Sequence, residues 1–307
     1  MKEWQILISD PIAPQGVEKL ARHARVLEGS PEKYLGQVDA LIVRSATVVN
    51  RSLLQAGAPR LQVVGRAGVG VDNIDLMSAR DLGIRVVNAP QASTTAVAEH
   101  TFALMLALCR HIPEATARMR AGEWPKKELV GHELAGKTLG IIGLGRIGTE
   151  VARRAAVFEM RILAYDPYID DQQERCGAQG CALDALLEQS DFVTLHLPLT
   201  EETNALIDRS AMKNFKPGSR IISTARGGLI DEDALLEALC NHQIAGAALD
   251  VFNDEPPKNS ALIKHPNVVT TPHIAGQTVE AQQRVAIDIA EEVLAALEGK
   301  PLRWEIQ

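Results

Sequence analysis

Residues of the types that hold anions and move protons recur where strands should end. They are Arg226 in STARGGLID (223–231), Asp250 and Glu255 in LDVFNDEPP (249–257), and His273 in TPHIAG (271–276). A guanidinium grips a carboxylate through two parallel hydrogen bonds. An imidazole, with an ordinary pKa of about 6.5, exchanges a proton readily near neutrality. Each group sits beside glycines or prolines after an apolar run, and in an open α/β sheet the carboxyl ends of strands are where ligands bind. The four are therefore expected to converge although they are far apart in sequence. Each also has a plain structural reading: Arg226 as a loop brace, His273 as a satisfied loop histidine, Glu255 as a solvated turn carboxylate and Asp250 as a cap.

A second constellation lies upstream. KTLGIIGLGRIG (137–148) sets Gly143, Gly145 and Gly148 in a GxGxxG pattern directly after an apolar strand and at the start of a helix. The first glycine permits a tight turn, the second lets the backbone approach a pyrophosphate, and the third allows close packing of helix on strand. The helix N-terminus supplies N–H donors for the anion. The next strand, RILAYD (161–166), ends in Asp166, where a carboxylate accepts hydrogen bonds from ribose hydroxyls and repels a 2′-phosphate. Pro167, Tyr168, Ile169 and Asp170 follow with no cation among them, so NAD is expected over NADP. Glycines serving only a strand–helix turn are the structural alternative. A further glycine-rich loop, GRAGVG (65–70), has backbone N–H groups suited to an anion-binding nest.

Short apolar runs bounded by Asp, Gly and Pro must carry these loops. Strands are expected at 5–9, 40–43, 61–64 and 85–87, then at 138–142, 161–165, 192–195, 220–223, 246–250 and 268–270. Helical stretches fill the gaps, among them 15–23, 52–56, 145–158, 183–189 and 232–240. A long apolar helical pattern covers 94–119, with Pro113 expected to kink or interrupt it, and an amphipathic helix covers 279–297. Strand alternating with helix predicts two doubly wound, Rossmann-like α/β domains with parallel sheets and a cleft between them. Residues 1–97 and 280–307 are expected to form a flavodoxin-like substrate domain, and 98–279 the NAD-binding domain.

Composition narrows the function classes. The 307 residues include 46% hydrophobic and 4% aromatic, and the net charge is −7. An acidic chain is a poor general binder of nucleic acid or anionic membrane, so neither is an expected partner. The amino terminus MKEWQILISD lacks the apolar stretch of a signal peptide, and a cytoplasmic protein is expected. Cys109, Cys176, Cys181 and Cys240 form no CxxC pair and have no histidine at zinc spacing, so no metal is expected. Cys176 and Cys181 leave a redox pair open, with isolated thiols the preferred reading.

Taken in order, VRSATVV (43–49), VGRAGVGVDNIDL (64–76), ELAGKTLGIIGLGRIG (133–148), ARGGLID, LDVF–EPP and TPHIAG resemble the D-isomer-specific 2-hydroxyacid dehydrogenase family along nearly the whole chain. The resemblance implies NAD-dependent hydride transfer. Arg226 matches the arginine that clamps the substrate carboxylate and polarises the reacting oxygen. His273 matches the acid/base, Glu255 the carboxylate that orients it, and Asp250 a residue beside the nicotinamide. Arg146, Ile147, Pro198, Thr224, Ala225 and Gly276 match further cofactor contacts, and His196 in LHLP a backbone or packing contact. Arg44, Ser45, Arg66, Ala67, Gly68 and Val69 match the substrate-binding stretch.

Within the family the likeness is to members that oxidise D-3-phosphoglycerate to 3-phosphohydroxypyruvate, the first step of serine biosynthesis. Glycerate, lactate or hydroxypyruvate is the alternative substrate, and an NAD-sensing corepressor scaffold a more distant one. Departures from the family pattern are Val69 for a common Thr, Leu197 for a small polar residue, and Ala275–Gly276 in exchanged order. These bear on substrate preference and cofactor affinity. The resemblance also implies a homodimer through the 94–119 helix region. Long members carry a serine-binding regulatory domain after the last helix. Only EGKPLRWEIQ follows residue 297, so no such module and no feedback by that route are expected.

Overall fold

A computed structural model describes residues 3–167, 174–257 and 261–306. In chain order the strands are β1 (Trp4–Ile8), β2 (Ala24–Glu28), β3 (Ala40–Val43), β4 (Val63–Arg66), β5 (Arg85–Val87), β6 (Thr138–Ile142), β7 (Arg161–Tyr165), β8 (Glu174–Arg175), β9 (Ala178–Gly180), β10 (Phe192–Leu195), β11 (Ser219–Ser223), β12 (Ile244–Leu249), β13 (Val268–Thr270) and β14 (Glu305–Ile306). Contacts divide the chain into two units, Met1–Thr94 with Gly276–Gln307, and Thr95–Ala275.

The first unit holds a sheet in the order β14-β5-β4-β3-β1-β2, parallel except for β14, which runs antiparallel to β5. Every residue of β3 is buried, as a strand covered on both faces must be. The alternation survives inside that burial. Ile6, Ile8, Ala40, Ile42 and Val63 pack with Leu20 and with Val285, Ile289 and Val293 of the long helix Val279–Leu297. Leu7, Leu41, Val43 and Val64 pack on the other face with Leu35, Leu54 and Ala79. That period of two sets which helix covers which face.

The second unit holds a sheet in the order β13-β12-β11-β10-β6-β7-β9-β8. Its order reverses direction between β6 and β10, the switch point at which open α/β sheets place ligands. One face packs Ile142, Val193, Ile221 and Leu249 against Leu186, Leu187, Leu235 and Leu239. The opposite face packs Leu139, Ile141, Phe192 and Ile222 against Ala98, Phe102 and Met105 of the helix Thr94–Cys109, and against Val151 and Ala155 of the helix Arg146–Val157.

Three expectations need adjustment. The ARVLE segment is strand β2, on the sheet edge beside β1, where its half-buried and exposed residues hid the apolar signal. The antiparallel pairings of β14 with β5 and of β8 with β9 depart from wholly parallel sheets. The long helix ends at Cys109 and resumes as Ile112–Arg120, so the break falls upstream of Pro113. A proline has no N–H to give the carbonyl four residues back, and its ring clashes there. In this chain the orphaned Cys109 carbonyl is taken by His132 N at 2.9 Å, while His111 turns the chain at φ 53°. Cys109, Cys176 and Cys240 are free thiols. Among the described residues no helix is long and apolar enough to cross a membrane.

Candidate active site

Neighbouring strands β11, β12 and β13 deliver the charged groups to one edge of the second unit's sheet. Arg226 follows β11, Asp250 and Glu255 follow β12, and His273 follows β13. The first two loops interlock. A Cβ on Gly227 would lie 2.0 Å from the Phe252 carbonyl, so only glycine permits that approach. Glu232 Oε1 accepts from Asn253 N at 2.7 Å, tying the helix that follows Arg226 to the loop that carries Glu255.

His273 Nδ1 meets Glu255 Oε2 at 2.7 Å, and Glu255 Oε1 accepts from Phe252 N at 3.2 Å. The imidazole is thus held by one nitrogen while its side chain remains 47% exposed, which leaves Nε2 for a ligand. Arg226 is half-buried and donates Nη1 to its own Ala225 carbonyl at 2.6 Å.

Asp250 is wholly buried. Its Oδ1 accepts from Thr271 Oγ1 at 2.5 Å and Ile274 N at 2.8 Å, and its Oδ2 from Ala275 N at 2.8 Å. Its carbonyl accepts from His273 N at 2.8 Å. Burial works to raise the Asp250 carboxyl, but the His100 and Thr271 side chains and the Ile274 and Ala275 amides outweigh it and hold it below the usual carboxylate range. Asp250 therefore shapes the 271–275 loop, in which His273 takes a left-handed φ of 53°. Sequence reasoning identified Asp250 but not this bracing task, and it overlooked Thr271, Glu232 and His100.

The nucleotide-binding features assemble at the ends of β6 and β7. Gly143 has a φ of +94°, and a Cβ there would lie 2.9 Å from the His196 carbonyl group. A Cβ on Gly148 would lie 2.0 Å from Gly143 O, so the third glycine is required by close packing. A Cβ on Gly145 would meet no atom of the described residues beyond its chain neighbours within 4 Å, which is the open face a pyrophosphate needs. Asp166 Oδ2 accepts from Leu144 N at 2.8 Å, locking the carboxylate to the loop. These residues fit a dinucleotide. Exposed Arg146 and half-buried Ile147 open the following helix. The Pro198 carbonyl accepts from Thr203 Oγ1 at 2.7 Å, and the Thr224 hydroxyl lies 3.1 Å from Thr101 Oγ1, with half-buried Ala225 next along the chain. Of the residues behind the NAD preference, Tyr168, Ile169 and Asp170 lie outside the described residues.

His196 carries a test of its own. Its Nε2 lies 3.0 Å from Thr194 Oγ1, its Nδ1 is buried without a partner among the described residues, and burial pushes the ring pKa down to about 3. An unfolded histidine binds a proton near pH 6.5 and this folded one does not. Its contribution is therefore full above that pH and is lost as pH falls toward 3. Wild type is expected to lose roughly 2 kcal/mol relative to H196N between pH 7 and pH 5. Urea unfolding at both pH values checks this, and parallel losses in the two proteins would refute it.

In the first unit, Arg44 and Arg66 stand at the ends of adjacent strands β3 and β4. Asp10 Oδ2 accepts from Arg44 N at 2.6 Å and Thr47 N at 3.1 Å, while Asn73 Nδ2 donates to the Arg44 and Thr47 carbonyls at 2.7 and 2.6 Å. The loop carrying Arg44 and exposed Ser45 is thereby clamped from both sides. Arg44 Nη2 donates to Gln277 Oε1 at 3.2 Å. Arg66 folds over Gly68, where a Cβ would lie 1.5 Å from its Nη1, and the Ala67 carbonyl lies 3.5 Å from that nitrogen. The Val69 carbonyl accepts from Asn88 Nδ2 at 2.6 Å, and the Gly276 carbonyl from Gln282 Nε2 at 2.9 Å. Asp10, the charged residue closing β1, was legible by the same strand-end rule that picked out Asp166.

Comparison with known proteins identifies the family. Residues 102–275 match the family described as D-isomer specific 2-hydroxyacid dehydrogenase, NAD binding domain. A D-3-phosphoglycerate dehydrogenase of Bacillus subtilis is 44% identical over 305 residues, covering 97% of this chain and 58% of its own length. The chain thus spans little more than half of that relative. A hydroxypyruvate reductase of Thermotoga maritima is 43% identical over 308 residues, covering 97% of this chain and 99% of its own length. The structure of a D-lactate dehydrogenase from Aquifex aeolicus, complexed with NAD and lactic acid, superposes with a TM-score of 0.83 at 31% identity over 96% of each chain. Two α/β units, a glycine loop paired with Asp166, and these matches place the chain in the D-isomer specific 2-hydroxyacid dehydrogenase family, with an NAD-binding domain.

Proposed function

We propose that the chain oxidises D-3-phosphoglycerate to 3-phosphohydroxypyruvate with NAD, a reaction that opens serine biosynthesis. The His273 Nδ1–Glu255 Oε2 contact of 2.7 Å, one strand away from the Arg226 loop, is the observation that carries the chemistry. Bound NAD supplies the acceptor for the hydride that leaves the substrate carbon. With Nδ1–H donated to Glu255, His273 Nε2 bears the lone pair that takes the hydroxyl proton, and Glu255 steadies the imidazolium formed. Arg226 holds the carboxylate and draws charge toward the reacting oxygen. Residues 1–97 and 280–307 serve the substrate, with Arg44, Ser45, Arg66, Ala67, Gly68 and Val69 offered to its anionic groups. Residues 98–279 serve the cofactor through Gly143, Gly145, Arg146, Ile147, Gly148, Asp166, Pro198, Thr224, Ala225, Asp250 and Gly276. Asp166 supports NAD over NADP.

Phosphoglycerate as substrate rests on the 43–46% identity to enzymes bearing that name across 96–97% of the chain. Hydroxypyruvate reduction is the second reading, favoured by the Thermotoga relative matched along 99% of its length. A panel of D-3-phosphoglycerate, D-glycerate and D-lactate with NAD and NADP, plus hydroxypyruvate with NADH, separates them. The phosphorylated acid is expected to give the highest kcat/KM. A higher value for D-glycerate or hydroxypyruvate would overturn the first reading in favour of the second.

A homodimer through 94–119 is part of the proposal. The helix Ile112–Arg120 buries none of its residues within the protomer and exposes Ile112 and Met119, with Trp124 and Val130 exposed just beyond it. Sedimentation equilibrium showing a monomer at micromolar concentration would contradict this.

A further inference from the structure

We infer that His100 is a positioning residue for the acid/base loop, acting as an obligate hydrogen-bond donor at the far end of a relay through Thr271 to Asp250. His100 lies on the helix Thr94–Cys109, 171 residues from Thr271 in sequence, and its side chain is only 18% exposed. Its Nε2 is 3.0 Å from Thr271 Oγ1 and 3.6 Å from Asp250 Oδ1.

Proton counting gives the relay its direction. A threonine hydroxyl has one hydrogen, and an ionised carboxylate only accepts. The 2.5 Å contact between Thr271 Oγ1 and Asp250 Oδ1 therefore consumes the hydroxyl hydrogen. Thr271 Oγ1 can then only accept from His100, so Nε2 must carry a proton. A proton at that nitrogen also faces the Asp250 carboxylate, whereas a lone pair would face two oxygen atoms. The chain runs from His100 Nε2–H to Thr271 Oγ1–H to Asp250 Oδ1, and Asp250 in turn holds Ile274 N and Ala275 N by its side chain and His273 N by its carbonyl. The titratable groups in this network are His100 and Asp250, with the His273–Glu255 pair at its output.

His273 occupies a left-handed backbone conformation that bulky side chains adopt at a cost, and it is held there by Asp250. A missing donor at position 100 lets the Thr271 hydroxyl rotate and loosens the Asp250 carboxylate that spans residues 271–275. The imidazole then strays from its place while the substrate and cofactor contacts stay intact. The activity consequence rests on the reading of His273 as the acid/base. The proton assignment does not, because it follows from the hydrogen bonds around an ionised Asp250.

Two measurements test the inference. In protein carrying 15N-labelled histidine, His100 is expected to show a protonated, pyrrole-type Nε2 at neutral pH, assigned by comparison with H100Q. An unprotonated, pyridine-type Nε2 would overturn the relay, whatever the substrate. In steady-state assays on the acid that the panel selects, H100L is expected to lower kcat about tenfold with little change in KM, and H100Q, which keeps a side-chain N–H, to recover most of it. T271V should match H100L, and T271S, which keeps the hydroxyl, should match wild type. These threonine variants keep the test decisive if H100L fails to fold. Wild-type kcat in both H100L and T271V would refute the positioning role, while failure of the whole panel in wild type would refute only the proposed activity.

Discussion

Replacement of His273 by alanine is expected to lower kcat by about 10²–10⁴-fold, the range for losing a positioned acid/base. Unlike loop residues that act through others, His273 keeps a second ring nitrogen for a ligand: Nδ1 is taken by Glu255 at 2.7 Å and the side chain is 47% exposed. Nothing else among the charged groups at these three strand ends can take the proton. Arg226 is a donor with no lone pair to offer, Asp250 is buried with both oxygens engaged, and Glu255 has Oε2 on His273 and Oε1 on Phe252 N. KM for the acid should move far less than kcat, because the anion-holding groups remain. E255A should fall between wild type and H273A, since it leaves the base in place but frees its ring. Turnover in H273A equal to wild type would end this mechanism.

The second large effect belongs to Arg226. R226Q is expected to lose about 10²–10³-fold in kcat/KM, the scale for removing one preorganised donor from developing charge. R226K should recover little of it. A lysine keeps the charge but has neither the planar fork nor the second donor that holds a carboxylate in one orientation. The half-buried setting and the tether from Nη1 to the Ala225 carbonyl fix the plane of the guanidinium, and an ammonium has no plane to fix. Steady-state comparison of the three proteins on one substrate checks this. R226K at wild-type kcat/KM would reduce the residue to a point charge.

Much of the architecture was legible because covered parallel strands read as short, unbroken apolar runs. ALIV, TLGII and FVTL are buried at every position, and the expected bounds of β3, β6 and β10 coincide with the observed ones. Edge strands were harder to see. ARVLE shows neither a continuous apolar run nor clean alternation, and β14 is two residues long. The proline that breaks the long helix was visible, but the break lies before it because the steric and hydrogen-bond conflict falls on the preceding turn.

At the site, glycine roles were legible because they depend on local geometry: Gly143 by its φ, Gly148 by its contact with Gly143 O. The bracing by His100, Glu232 and Asn73 was not. Each reaches a loop remote in sequence, and no local pattern marks a side chain by the partner it will meet. Asp250 falls between these cases. Its strand-end position was a signal, while its task as the acceptor for four donors in the 271–275 segment became visible only in the fold.

The order of the chain has a consequence for how it is made. The first unit takes its early strands from residues 1–94 and its long helix from beyond residue 276, with the whole second unit synthesised in between. Ile6, Ile42 and Val63 cannot bury that face until Val285, Ile289 and Val293 emerge. The approach is also intimate: a Cβ on Gly16 would lie 2.5 Å from the Ala286 carbonyl, and one on Gly65 would lie 2.6 Å from Val293. On the ribosome, where domains fold as units as they emerge, the second unit is complete first and the amino-terminal sheet waits half-dressed for its last helix. The two glycines that admit that helix therefore act latest of all, as the seats into which the final piece of the amino-terminal unit drops.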